Sequence, residues 1–87
     1  MKDKLIKNYI DQLTIQDIEK FASSKNILLT NNELNYVYSI IKNNWKTIIY
    51  QDPTNIFNEV KENLNTNSYN KIIDLYNYYK IKFQAFL

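Results

Sequence analysis

The sequence predicts an all-α protein, a single small bundle of four to five short helices that takes in residues 1–87 as one domain. Three observations lead there. Apolar residues recur three and four positions apart through most of the chain, the period of a helix with one buried face. Threonine or aspartate ahead of a polar run punctuates those stretches as helix starts. Finally, 45% of the 87 residues are hydrophobic, which suffices for one core but promises only modest stability at this length.

Each element can be taken in order. Leu5, Ile6, Tyr9, Ile10 and Leu13 mark a first helix over about residues 2–12. Thr14, with Asp17 three residues on, opens a second whose Ile15, Ile18, Phe21 and Ala22 face inward. Asn26-Ile27-Leu28-Leu29 reads as a short extended link whose apolar side chains plug the core. Thr30 and Glu33 form a T-x-x-E capping box, the clearest local signal in the chain. A third helix follows, with Leu34, Val37, Tyr38, Ile41 and Trp45 on one stripe and Ile40 beside it.

Thr47-Ile48-Ile49-Tyr50 fits either a frayed helix end or a buried extended link. Asp52-Pro53 restarts the chain, with Asp52 as N-cap and proline in the first helical position. Ile56, Phe57, Val60 and Leu64 stripe a fourth helix. The loop Asn65-Thr66-Asn67-Ser68 supplies a cap for the fifth, which covers about residues 67–85. Its main stripe is Ile72, Ile73, Tyr76, Tyr79 and Phe83, and a second holds Leu75, Tyr78, Lys82 and Phe86. Such a wide apolar arc fits a central helix or one whose outer face docks a partner. Without glycine, helix ends must use left-handed asparagine or fray, and Asn26, Asn43 or Asn44, and Asn65 are placed for that role.

The inventory of side chains bounds the function. All eleven basic residues are lysine, and histidine, cysteine, arginine and glycine are absent. The usual general base, the thiolate nucleophile, the commonest metal ligands and the phosphate-cradling glycine loops are therefore unavailable. The abundance of Asn (14), Ile (13), Lys (11) and Tyr (8), all with AT-rich codons, offers a second account of the missing arginine and glycine. The expectation is a non-enzymatic protein with no catalytic, cofactor-binding or metal-binding residues and no small-molecule substrate. A net charge of +2 is too small to imply a polyanion partner by itself. No stretch approaches the ~20 apolar residues of a membrane span, and charge interrupts the start of the chain, so neither a membrane nor a signal peptide is expected. Cytoplasmic residence is the default.

Two surfaces are candidates. The wide arc of the last helix suggests a protein partner, or self-association, through Leu75, Tyr78, Tyr79, Lys82 and Phe86. Core packing is the competing reading for such aromatics. Lys42, Trp45 and Lys46 suggest weak, sequence-independent nucleic-acid binding on a stacking platform, against a Trp that simply closes the core. Lysines 2, 4, 7, 71, 80 and 82 would form one basic patch if the first and last helices are neighbours. Glu59 and Glu62 with Asp52 read as a solvated charged face rather than a cation site.

The run LTIQDIEKFASSKNILLTNNELNYVYSIIKNN at 13–44, NIFNEV at 55–60 and YYKIKFQAF near the end resemble a family of small helical proteins of unknown function from low-GC Gram-positive bacteria. Only NIFN is specific. The resemblance implies a bacterial, all-helical protein and carries no catalytic residues. The first half also looks like helix–extended–helix modules of the SAP and LEM type, some of which bind DNA. The glycine and basic residues of their connecting loop are missing from this chain.

Overall fold

The computed structural model describes residues 2–85, which form five helices and no strand: α1 (Lys2–Gln12), α2 (Ile15–Ser24), α3 (Asn31–Tyr50), α4 (Thr54–Asn63) and α5 (Thr66–Gln84). Both capping boxes are complete. The Thr14 hydroxyl accepts from the Asp17 amide and the Asp17 carboxylate accepts from the Thr14 amide. Thr30 and Glu33 repeat the arrangement at the start of α3. Each cap satisfies two of the four amide donors that a helix start leaves open, worth about 1 kcal/mol.

Asn26 is the one described residue with positive φ, at 61°. Its amide donates to Ser23 O and that of Ile27 to Ala22 O, which closes α2 with the paired bonds of a Schellman motif. Ile27 and Ala22 are both buried, so the apolar contact that usually accompanies this motif is present. The other proposed asparagine caps are corrected. Asn43 and Asn44 lie inside α3, where their amides donate to Ser39 Oγ and Ile40 O. Asn65 does not end α4 in a left-handed conformation but supplies the cap of α5 expected of the 65–68 loop, its side chain accepting from the Ser68 amide at 2.8 Å. Residues 47–50 are helical, and only Gln51 turns extended. Pro53, not Asp52, takes the N-cap position of α4. The Asp52 carboxylate still accepts from the Thr54 amide and hydroxyl, which holds its pKa below the usual value.

α3 and α5 form the centre of the bundle, with α1 and α2 packed chiefly on α3 and α4 on α5. Ser68, Ile72, Leu75, Tyr79 and Phe83 are the buried residues of α5, spaced four, three, four and four apart as a single stripe. Leu75 therefore belongs with Ile72 and Tyr79 and not to a second face. The helix meets every other element. Phe83 packs edge-on against Tyr9 of α1, Tyr79 stacks on Phe21 of α2, and Tyr76 meets Phe57 of α4.

α3 and α5 are pinned at their starts. Glu33, 6% exposed, takes a hydrogen bond from the Ser68 hydroxyl, and its other oxygen accepts from Lys71 Nζ at 3.0 Å. Burial alone would raise the Glu33 pKa. The bonds from Ser68, the Thr30 amide and Lys71 outweigh it and hold the carboxyl at about 2. α4 runs back between the two: Asn63 at its end donates to the Tyr36 hydroxyl, while Phe57 near its start reaches Tyr76. Consequently α3 and α5 run in the same direction from a shared, locked start.

A candidate binding cleft between three helices

The lock at one end has a consequence at the other. The buried residues of α3 are Glu33, Leu34 and Val37, all within its first two turns. From Tyr38 onward Ile40, Ile41, Trp45, Ile48 and Ile49 are only half-buried. They face a cavity of about 320 Å³, partly open to solvent, whose other walls come from α1 and α5. Tyr9, Ile10 and Leu13 contribute from α1, while Ile72, Leu75, Tyr76, Tyr79 and Phe83 contribute from α5. Pro53 and Phe57 border it where α4 begins. Sealed and dry, a void of this volume would cost about 8 kcal/mol at ~24 cal/mol per Å³, comparable to the whole stability of a small domain. Its opening to solvent reduces that cost without removing the apolar surface.

The lining changes character along its length. Toward the locked start lie Val37, Ile72 and Leu75, each 7% exposed or less. At the far end stand Gln51, Lys80 and Gln84. Because α3 and α5 run in parallel, the end of α3 and the last turns of α5 lie together there. Among the described residues Lys80 is the one charged residue of the lining, and it makes no ion pair there. The Lys46 ammonium lies 5.6 Å from the centre of the Trp45 ring, which forms part of the same wall.

The proposed partner surface on α5 is only partly a surface. Leu75 (1% exposed) and Tyr79 (7%) are core residues, because α5 is covered from several sides. Tyr78 is exposed, with Lys25 Nζ 5.1 Å from its ring centre. Lys82 is half-buried, donating to the Tyr9 hydroxyl at 3.2 Å and lying over the Tyr9 and Phe21 rings. Phe86 lies outside the described residues, as does the Lys2 side chain. The Tyr79 hydroxyl is buried without a hydrogen-bond partner in good geometry. Burial, reinforced by the nearby Tyr9 hydroxyl, pushes its pKa well above the usual phenol range.

Of the three proposed nucleic-acid contacts, Trp45 and Lys46 stay together on α3, and the Lys42 ammonium is turned away to the end of α1. Lys42 donates to Ile10 O at 2.5 Å and Asp11 O at 3.1 Å, closing the end of α1, and only Lys46 projects into solvent. That lysine C-cap could have been suspected only with the α1–α3 contact in hand, since 31 residues separate the partners. Lys71 is engaged by Glu33 and Leu28 O, and Lys7 by Asp11, so the supposed basic patch is divided. Among the described residues no cluster of side chains could hold a metal ion, and no helix is long and apolar enough to cross a membrane. Nothing matches the chain among protein-family models, curated proteins or solved structures.

Proposed function

We propose that this protein is a non-enzymatic interaction module that receives the apolar part of a binding partner in the cleft between α1, α3 and α5. The observation that carries this reading is the half-burial of α3 beyond Val37: five large apolar side chains line an open cavity that α5 does not fill. A cleft of about 320 Å³ falls within the ~300–1,000 Å³ range of ligand sites, and its apolar wall with a few grouped polar residues matches their chemistry. The far face of α5 is a poorer site, since exposed Tyr78 and Ile81 are the kind of scattered apolar residues any small protein shows. The composition, lacking histidine and cysteine, agrees with binding without chemistry.

The test uses a fluorescent apolar dye such as anilinonaphthalene sulfonate. The protein is expected to bind it saturably at one site. Ile48→Trp, which fills the cleft, should weaken binding more than tenfold while the helical circular dichroism is retained. Tyr78→Ser and Ile81→Ser should leave it unchanged. Dye binding that ignores the cleft-filling variant and follows the far-face variants would move the site back to the outer face of α5.

A further inference from the structure

Resting on that reading of the cleft, we infer that its occupant is a single-chain amphiphile, a hydrocarbon tail ending in a carboxylate, with Lys80 as the counter-ion. Three features of the cleft converge on this chemistry. The first is its polarity gradient: apolar and enclosed toward Val37 and Leu75, polar at the rim, where Gln51, Lys80 and Gln84 stand exposed to solvent. A tail lies in the first part and a solvated head group at the second.

The second feature is shape. From Tyr36 to Ile49 the α3 wall spans fourteen residues, thirteen steps of 1.5 Å or about 20 Å. An elongated slot lined by apolar side chains along that length suits an extended hydrocarbon tail.

The third feature is charge. Among the described residues no acidic residue lines the cleft and Lys80 makes no ion pair. The carbonyl ends of α3 and α5 lie at the same mouth and by themselves disfavour an anion. Carboxylate binding therefore has to draw on Lys80, with Lys46 adding to the local field. Such a ligand was not suggested by the residue inventory, because a binding slot needs no histidine, cysteine or arginine.

The test is titration calorimetry with laurate, myristate and palmitate below their micellar concentrations. Monolaurin serves as the neutral comparison and dodecyltrimethylammonium as the cationic one. Trp45, the single tryptophan and part of the wall, reports occupancy by fluorescence. Laurate is expected to bind one to one, with affinity rising about fourfold per added CH₂ until the tail outgrows the slot. Lys80→Gln should weaken laurate about tenfold or more and leave monolaurin as it was. Equal affinity for laurate and the cationic amphiphile, or indifference to Lys80→Gln, overturns the assignment. So does displacement of the dye by an acidic amphipathic peptide when no fatty acid displaces it. If the dye enters the cleft and no fatty acid binds, the ligand class is wrong and the cleft remains the site. If cleft filling by Ile48→Trp alters neither, the binding site itself is misplaced.

Discussion

Glu33 gives the sharpest physical prediction. Its carboxyl is held at about 2 against an ordinary 4.5, a depression of about 2.5 units. At about 1.36 kcal/mol per unit this contributes about 3 kcal/mol at neutral pH. The folded state has the depressed value, so the contribution is complete above pH 4.5 and is lost as pH falls through about 2. More than half should be gone by about pH 3. Glu33→Gln keeps the shape and a capping-box side chain while removing the charge that Lys71 and Ser68 meet. Urea unfolding followed by circular dichroism, at steps from pH 7 to pH 2, measures both proteins. The other carboxylates titrate in both and cancel in the difference. The variant is expected to be about 2–3 kcal/mol less stable at pH 7, because the buried ion pair is broken, and the gap should close toward pH 2. A gap that stays constant with pH would refute the assignment of Glu33 as the charged lock between α3 and α5.

Other outcomes follow from single positions. Leu75→Ala should cost about 3–4 kcal/mol, as for other fully buried leucines, whereas Ile48→Ala should cost under about 1 kcal/mol because its side chain already faces the open cleft. Equal losses in thermal or urea unfolding would mean that the cleft is closed in solution. Asn26→Gly should raise stability by up to about 1 kcal/mol and Asn26→Ala lower it by a similar amount, since only the left-handed conformation closes α2. Thr14→Ala is expected to cost about 1 kcal/mol and Thr30→Ala nearer 2, because Thr30 also orients the Glu33 carboxylate. Melting temperatures of the two variants compare them directly.

Much of the fold was legible locally. The two Thr-x-x-acid boxes announced α2 and α3 because a cap is a contact between residues three apart. The stripes of α1, α2 and α4 were legible for the same reason, being periodic along one helix. Asn26 was readable as a left-handed cap because no glycine competed for the role. Some misplacements were local, as where Pro53 rather than Asp52 takes the N-cap of α4. Asn65 suits either the end of α4 or the start of α5, and its extended backbone serves the start. Leu75 and Tyr79 stood as candidate partner contacts with core packing as the competing reading, and the core reading holds because neighbouring helices cover them; one helix does not disclose how many neighbours cover it.

The candidate site was the least legible part. Ile40, Ile41, Trp45 and Ile48 sit at core spacing, and nothing in the chain distinguishes an aliphatic side chain packed against a neighbour from one left facing a gap. By itself the sequence determined an all-helical chain, its helix starts, its left-handed stop at Asn26 and a stock of side chains poorly suited to catalysis. These are consequences of local backbone bonding and of which functional groups exist. The tertiary structure decided that Glu33 meets Ser68 and Lys71, that α5 touches every other helix, and that the second half of α3 lines an open cleft. Those depend on how far rigid helices of unequal length can pack together, which no local pattern encodes.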